Sequence, residues 1–202
     1  MVQGARLDIF RRGLLEGQVV AIASGGPVAD AVLAACEALG ATVERHDGAP
    51  LDDAAAATFA AGVVERHGGI DTLVLDAASA FAAAVPGAAG ADALRAAADP
   101  AWAAARAAAT AAMIDADGGG KVVVIAPRPG AGARAAATRA ALENLARTLS
   151  IEWSRYAIRT TAILPGDATS PEEVGAVVTF LASPAGDYYS GCVMDLGGPP
   201  AG

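Results

Sequence analysis

Residues 135–153, AAATRAALENLARTLSIEW, form the stretch from which the fold can be worked out. Leu142, Leu145 and Leu149 recur at helical spacing, so the segment has one apolar face. Neither Gly nor Pro interrupts it, and Ala, Leu, Arg and Glu dominate it, which favours a helix over a strand. The residues that follow, AIRTTAILPG, are a short β-prone run closed by Pro165 and Gly166. We therefore predict a long helix followed directly by a strand.

The same alternation of apolar runs and Ala-rich helical segments extends through the rest of the chain. We predict strands at 19–23, 42–45, 72–75, 121–126, 160–164 and 192–196, and helices at 29–39, 52–66, 135–153 and 174–181. A further long helical region is predicted to follow residue 91 and to end before Gly118. The runs VVAIA and TLVL are apolar throughout, as in a sheet covered on both faces. The alternation indicates an α/β fold with one doubly wound parallel sheet and helices on both faces.

Local residue chemistry refines the ends of these elements. Asp52 and Asp53 are expected to cap the second helix, and Pro171, followed by two acids, is expected to begin the last one. The Ala/Gly-rich residues 81–91 are predicted as a loop, and 82–90 and 130–137 as loops or frayed helix ends.

Composition points to one folded domain. The chain has 202 residues, 54% of them hydrophobic and 18% charged, which is enough to bury a core. We assign residues 1–16 to an N-terminal arm and 17–202 to the domain. No apolar run reaches the length of a membrane span, and the first residues lack the apolar core of a signal peptide, so we expect a cytoplasmic protein without a membrane partner.

Charge and metal-ligating residues exclude two further classes of function. The net charge is −8 and Lys121 is the only lysine, which argues against nucleic-acid binding. His46 and His67 have no Cys or His at metal-ligand spacing, so we expect surface histidines and no metal site. Cys36 and Cys192 are expected to be reduced thiols.

Five segments, in the expected order, resemble the short-chain dehydrogenase/reductase family. GQVVAIASGG resembles its first strand and glycine turn, GGIDTLVLDAAS its Asp-x-Leu-Val-Asn-Asn-Ala-Gly segment, and GGGKVVVIAPRPG the strand that ends in the catalytic serine. The opening helix resembles the active-site helix, and the closing EEVGAVVTFLASPAGDYYSGCVMDLGG has Phe-Leu-Ala-Ser, Tyr-x-x-Gly and Asp-x-Gly-Gly elements at family-like spacing. The resemblance implies a Rossmann-like domain from residue 17 onward, similar to the 3-oxoacyl-thioester reductases.

The family's catalytic residues are missing at the matching positions. In the Tyr-x-x-x-Lys motif the tyrosine position is Ala135 and the lysine position is Arg139, while the serine position falls at Ala126 or Pro127. Carbonyl reduction needs a phenol to pass on a proton, a nearby cation and a hydroxyl that orients the carbonyl. Arg139 cannot replace the phenol because it does not release its proton. We predict no catalytic residue here, and a structural or interfacial ion pair for Arg139.

The segments that bind cofactor and cover substrate in the family are degenerate as well. The family turn Thr-Gly-x-x-x-Gly-x-Gly is reduced to Ser24, Gly25 and Gly26, followed by Pro27, which has no N–H to donate. Asp30 would place a negative charge near an anionic ligand, and the Asn-Asn-Ala-Gly segment is Leu75-Asp76-Ala77-Ala78. The active-site asparagine expected between residues 98 and 102 is absent.

The substrate lid is shortened in the same way. Only four residues separate Pro165-Gly166 from Pro171, where active relatives insert a segment that covers the substrate. The resemblance therefore implies that no cofactor is bound.

We predict a non-catalytic subunit that forms a hetero-oligomer with an active member of the family and supports its activity. The family assembles through its paired long helices, here 100–115 and 135–153, and through the last helix and strand, here 174–181 and 192–196, with Tyr188 and Tyr189 nearby. One alternative is an NAD(P)-dependent oxidoreductase acting on a hydroxyacyl or ketoacyl thioester, or on a similar alcohol or ketone. Another is a module that holds a nucleotide or acyl thioester without turnover. Self-association also stays open.

Overall fold

Six parallel strands form a single sheet in the computed structural model, which describes residues 10–84 and 91–198. The strands lie in the order β2-β1-β3-β4-β5-β6. Their bounds are β1 Val19–Ile22, β2 Thr42–Arg45, β3 Thr72–Asp76, β4 Gly120–Ile125, β5 Ile158–Leu164 and β6 Val193–Asp195. All five pairings are parallel, so the predicted Rossmann-like parallel sheet is confirmed.

Helices cover both faces of this sheet. Their bounds are α1 Pro27–Ala38, α2 Asp53–His67, α3 Ala77–Ala84, α4 Asp92–Ala108, α5 Ala135–Glu152 and α6 Pro171–Ala182. One apolar cluster packs α1 and α6 against the sheet, and a second packs α2, α3, α4 and α5 against the opposite face. Because all the strands are parallel, their carboxyl ends lie along one edge of the sheet, where ligands bind in such folds.

The apolar face predicted for the opening stretch is the buried face of α5. Leu142 and Leu149 are buried, Leu145 is partly buried, and Thr138 lies on the same side with no exposed surface. A short turn at Ser154–Tyr156 then leads into β5, so the predicted helix–strand pair is confirmed.

The helix ends follow the expected capping chemistry. The Asp52 carboxylate accepts a hydrogen bond of 2.8 Å from the Ala55 N–H at the start of α2. Ser170 and Glu173 form a reciprocal capping box around Pro171, where α6 begins as expected.

Helices α1 and α6 pack with their backbones unusually close. A Cβ added at Gly175 of α6 would lie 2.9 Å from the Ala31 carbonyl oxygen of α1. Only glycine allows this approach without a shift of one helix.

One of the predicted irregular segments is wrong in part. The loop predicted from residue 81 is replaced by α3, which runs to Ala84, with Phe81 fully buried. Its Ala-rich sequence favours a helix, and the aromatic side chain anchors it to the core. Helix α4 begins at Asp92, where the predicted helical region follows residue 91, and it contains Pro100. Residues 85–90 of the predicted loop lie outside the described part of the chain.

Three further features lie at the end of α4, at the start of α5 and in the N-terminal arm. Helix α4 continues as a π-helix at Ala109–Met113. Helix α5 begins at Ala135, the first residue of the helix predicted at 135–153, so the 130–137 segment contains a loop and a helix end, as predicted. The arm is described only from residue 10, where Leu15 is fully buried and its N–H donates to the Leu39 carbonyl at 2.9 Å. Across residues 10–84 and 91–198, no helix combines the length and apolarity required to cross a membrane.

Candidate functional site

A cavity of about 430 Å³ opens at the carboxyl ends of the first three strands. Strand order reverses here, because β2 lies on one side of β1 and β3 on the other. This reversal makes the topological switch point at which open α/β sheets bind ligands, and the volume is within the usual range for small-molecule sites. The lining comes from the turn after β1, the segment after β2, the start of α3 and one face of α4.

Asp76 is the buried acid of this cavity. It ends β3, is 3% exposed, and accepts hydrogen bonds from the Ser79 hydroxyl at 2.6 Å and from the N–H groups of Ala78 and Ser79 at 3.1 and 3.3 Å. Burial raises the pKa of the Asp76 carboxyl, and the three hydrogen bonds oppose that rise without cancelling it. The carboxyl caps the first turn of α3 while it lines the cavity.

The glycine turn is contacted by the protein's own polar side chains. A Cβ on Gly25 would lie 3.5 Å from Oδ1 of Asp47, and one on Gly26 would lie 2.8 Å from Oγ of Ser79. Gly26 has φ of 117°, a conformation that favours glycine. The Ser79 hydroxyl therefore lies closer to Gly26 than a side chain at that position would allow, and Asp47 lies beside Gly25.

Arg45 holds the acidic groups of the turn together. Its guanidinium at the end of β2 pairs with Asp30, in the first turn of α1, and with Asp47. These two carboxylates raise the pKa of the Arg45 guanidinium, with the hydrogen bond to Asp47 as the larger cause. The expected negative charge at Asp30 is present, and its ion pair with Arg45 neutralises it. Arg45 is also paired with Asp47, so its charge is not free for a ligand.

One hydroxyl in the cavity wall has no partner. Ser24 lines the cavity, and its Oγ is buried without a hydrogen bond to any described residue. Burying an unpaired hydroxyl costs free energy, and such groups in native proteins call for a physical explanation.

The positions that match the family's catalytic residues lie together but offer no reactive group. Ala126, which follows β4, and Ala135, which begins α5, are both fully buried, and Pro127 is buried beside them. None of these positions, nor Arg139, lines the 430 Å³ cavity.

Arg139 has a role different from the expected ion pair. Its Nη1 donates to the carbonyl oxygens of Pro127 and Pro165, each at 2.7 Å. The guanidinium therefore ties the segment after β4 to the segment after β5, and it contacts backbone carbonyls instead of a carboxylate in the described structure.

Two further side chains, Arg128 and Asp167, join the same two loops. Arg128 donates to the carbonyls of Thr169 at 2.5 Å and Asp167 at 3.3 Å, and Oδ1 of Asp167 accepts from the Gly130 N–H at 2.8 Å. With no long lid between β5 and α6, the loop at 165–170 packs directly on the loop at 127–131. We call these two loops, joined by Arg128, Arg139 and Asp167, the closed seam.

The residues at these two places do not fit a nicotinamide dinucleotide, the cofactor that the fold implies. Asp47 lies beside the phosphate turn, and Pro27, which follows the turn, has no N–H to donate. The closed seam occupies the catalytic side, and Ala135 leaves no phenol beside it.

The remaining polar candidates have local structural contacts. Nε2 of His67 lies 2.8 Å from Glu44, and Nε2 of His46 lies 2.9 Å from the Ala49 carbonyl. Burial raises the pKa of the Cys36 thiol to about 12, which makes it unreactive. No cluster of three or more His, Cys, Asp or Glu suited to a metal ion occurs among residues 10–84 and 91–198.

Sequence reasoning missed Asp47, Ser79 and Arg128. Asp47 lies two residues after β2, and this position alone could have suggested that it reaches the glycine turn. Ser79 and Arg128 carry no comparable signal, because their contacts depend on how α3 and the loop at 165–170 pack.

Comparison with known proteins supports the fold assignment. No protein-family model matches the sequence. A tropinone reductase homologue of Arabidopsis thaliana is 29% identical, with 43% of this chain and 45% of that protein covered. The chain thus spans less than half the length of the curated relative it matches.

Solved structures match over nearly the whole chain. A short-chain dehydrogenase from Mycobacterium smegmatis has a TM-score of 0.78 at 22% identity, with 94% of this chain and 95% of that chain covered. A citronellol catabolism dehydrogenase of Pseudomonas aeruginosa PAO1 has a TM-score of 0.77 at 22% identity, with 94% and 98% covered. The resemblance to the short-chain dehydrogenase/reductase family is confirmed at the level of the fold.

Proposed function

We propose, from the premise that this chain has the short-chain dehydrogenase/reductase fold, that it is a non-catalytic subunit. It pairs with an active oxidoreductase of the same fold and supports that partner's activity. The activity of the complex belongs to the partner.

The closed seam is the observation that carries the loss of catalysis. Arg139, at the family's lysine position, donates hydrogen bonds from one nitrogen to two backbone carbonyls. Ala135, at the tyrosine position, is fully buried. A proton donor beside a substrate carbonyl is required for this chemistry, and neither residue can act as one.

An exposed apolar patch on α4 and α5 supports the pairing. Trp102 is 42% exposed and stacks on Trp153 with ring centroids 6.3 Å apart, and Ile151 is 73% exposed. Large aromatic and aliphatic side chains on a surface mark protein interfaces. We call Trp102, Ile151 and Trp153 the tryptophan patch. It lies on the helices that the family resemblance assigns to assembly.

The C-terminal side supplies a second candidate contact. Strand β6 is the last strand in the sheet order, and Tyr188, beside it, is 89% exposed. An unpaired sheet edge with an exposed aromatic neighbour is a surface that another chain can cover.

Native mass spectrometry of the protein purified gently from its own host tests the proposal. We expect a complex of fixed stoichiometry with a second chain that retains the Tyr-x-x-x-Lys motif. A chain that runs only as a monomer or homo-oligomer, and that reduces or oxidises substrate with bound NAD(P), would contradict it.

Matched variants locate the contact. Ile151→Asp places a charge in the tryptophan patch and is expected to release the partner, because a buried unpaired charge is costly. Tyr188→Asp introduces the same charge at the other exposed surface and is expected to leave the complex intact. The reverse result would move the contact to the C-terminal side.

A further inference from the structure

We propose that a groove between α2 and α4 receives an arginine side chain of the partner subunit, and that this contact selects the partner. The inference rests on the proposed function and deepens it, because it names the chemistry that the partner must present beside the tryptophan patch. The groove is lined by residues 50–53 and by the face of α4 that carries Arg95, Asp99 and Trp102, and we call it the acidic groove.

The size and the apolar lining of the acidic groove suit the stem of a long basic side chain. Its volume is about 540 Å³. Leu51 and Ala103 are buried residues of the lining, and Pro50 and Pro100 add further apolar surface. The carbon chain of an arginine packs on apolar groups while its charged head stays beside polar ones. The groove therefore offers contacts to both parts of one side chain.

Exposed carboxylates give the groove its charge. Asp52, Asp53 and Asp99 all line it, and all three are exposed. Asp52 caps α2 through Oδ1, which lies 2.8 Å from the Ala55 nitrogen, and its second oxygen keeps its acceptor capacity. A guanidinium can donate to such carboxylates through several N–H groups at once. The groove is therefore complementary in charge to an arginine.

The bases of this chain that lie near the groove pair with other acids. Nη2 of Arg106 lies 2.7 Å from Oδ1 of Asp53. Nη1 of Arg95 lies 3.9 Å from Oδ1 of Asp92, one turn earlier in α4. Among residues 10–84 and 91–198, no base forms an ion pair with Asp99. Asp99 is therefore the carboxylate that a base of the partner would neutralise.

Trp102 favours arginine over lysine as the side chain that enters. Its indole lines the groove, is 42% exposed, and stacks on Trp153 with the ring planes 18° apart. A planar guanidinium packs on an aromatic face, whereas an ammonium ion is a compact point charge that is strongly hydrated. Trp102 also belongs to the tryptophan patch, so the groove is continuous with the surface assigned to the partner.

The overall charge favours a different chain over a second copy as the occupant. The net charge of this chain is −8, so two copies repel one another, whereas a partner with a basic surface is attracted. Complementary charge at the edge of an interface acts on partner choice and on the association rate. We therefore place the tryptophan patch at the centre of the contact and the acidic groove at its rim.

The salt dependence of binding tests the groove directly. Biolayer interferometry uses, as the probe, the partner chain isolated from the complex that native mass spectrometry detects, and measures its affinity for the wild type at low and high NaCl concentration. We expect the affinity to fall by about tenfold or more at high salt, because ions screen the contact between the charges. An affinity that does not change with salt would overturn the inference.

Asp99→Lys reverses one charge of the groove at an exposed position. We expect the affinity at low salt to fall by about tenfold or more and its salt dependence to decrease, because the partner's base then meets a base. The melting temperature should match that of the wild type. Asp117→Lys is the matched control, since Asp117 is exposed in the turn before β4, beyond the other end of α4. Equal losses in both variants would mean that net charge, and not the groove, attracts the partner.

Phenylglyoxal, which modifies arginine side chains, tests the type of base. Partner treated with it before mixing should lose affinity by about tenfold or more, while partner with acetylated lysines should bind as before. In the assembled complex, mass spectrometry should find a partner arginine that is protected by the wild type and becomes modified in the complex with Asp99→Asn. Loss of binding on lysine acetylation alone, or equal arginine protection in both complexes, contradicts the assignment of arginine.

The outcomes separate this inference from the proposed function. A complex that is lost with Ile151→Asp, yet is unaffected by salt and by Asp99→Lys, would retain the proposed function and remove the acidic groove from the contact. A complex that is lost with Tyr188→Asp and withstands Asp99→Lys would do the same. If no complex of fixed stoichiometry exists at any salt concentration, both proposals are wrong.

Discussion

Arg139 shows how a catalytic position can be retained as a structural one. The family's lysine position keeps its positive charge, yet the guanidinium joins the Pro127 and Pro165 carbonyls, each at 2.7 Å. A planar group with several donors is suited to this bridging, whereas an ammonium ion acts as a single point. Arg139 therefore joins the two loops of the closed seam through their backbone carbonyls.

Arg139→Ala is expected to lower the free energy of unfolding by about 1–3 kcal/mol, since two carbonyls lose a charged donor. Arg139→Lys should lose less, because lysine can still donate to one of them. Urea unfolding of the two variants and the wild type measures the difference. An Arg139→Ala variant as stable as the wild type would mean that the bridge contributes nothing to the seam.

Asp76 predicts a pH dependence of stability with a defined sign. Burial raises the pKa of its carboxyl, so the folded state holds the proton more tightly than the unfolded chain. The native state therefore loses stability as pH rises from the ordinary carboxyl pKa, about 4, through the raised value.

Asp76→Asn keeps the side-chain shape and removes this titration. We expect the stability of the variant relative to the wild type to increase as pH rises, and to level off above the raised pKa. Urea unfolding of both proteins at matched pH values from acid to neutral gives this difference. A difference that is constant with pH, or that falls as pH rises, contradicts the assignment.

At the scale of elements, the packing of α1 against α6 depends on one glycine. A Cβ at Gly175 would meet the Ala31 carbonyl at 2.9 Å, so Gly175→Ala is expected to cost about 1–2 kcal/mol despite the better helix propensity of alanine. Differential scanning calorimetry measures the loss.

Gly62→Ala in α2 is the matched control for that change. Its new Cβ would lie 3.2 Å from Nη1 of Arg66, a flexible side chain that can move away. We expect a gain of about 0.5–1 kcal/mol from reduced backbone entropy. If both variants shift stability in the same direction, close backbone approach is not the reason for glycine at 175.

The closed seam is itself a contact between two loops. Asp167→Ala removes the acceptor for the Gly130 N–H, so amide hydrogen exchange at 128–132 should become at least several-fold faster. Ala168→Ser, at an exposed neighbouring residue, should leave the exchange rate unchanged. Equal protection in Asp167→Ala and the wild type would show that the seam is held without this carboxylate.

The elements differ in how far the sequence determines them. The strand positions could be predicted because apolar runs such as TLVL and KVVVIA can be buried only in a sheet covered on both faces. Helix α3 is not predicted because Pro86, Gly87 and Gly90, which follow it in the sequence, favour a loop over 81–91. Phe81 anchors the helix through contacts distant in sequence.

The candidate site divides in the same way. The absence of the family's reactive groups can be predicted from the sequence, because the family motifs can be matched to positions 126, 135 and 139 and the residues there read directly. Tertiary contacts bring Asp47 beside Gly25 and Arg139 onto two backbone carbonyls. No local pattern specifies them, so the structure was needed to find the closed seam.

At the scale of the whole molecule, the chain has the Rossmann-like fold. The glycine turn and the closed seam, which lie at the two ends of the expected cofactor cleft, differ from the family pattern. The cavity at the switch point stays open, and the catalytic side is joined by Arg128, Arg139 and Asp167. The tryptophan patch lies on α4 and α5, in the helical layer that also lines the cavity, with Trp102 and Ile151 exposed. This combination is what the proposed subunit requires: a sound scaffold, a surface for a partner and no chemistry of its own.

The most direct test of that account is the turnover of the reconstituted complex with the partner's catalytic tyrosine changed to phenylalanine. We predict that this single change abolishes all NAD(P)-dependent turnover, while Arg139→Ala in this chain leaves the rate per intact complex largely unchanged. Residual turnover that survives the partner's change and is lost with Arg139→Ala would place catalysis in this chain and contradict the account.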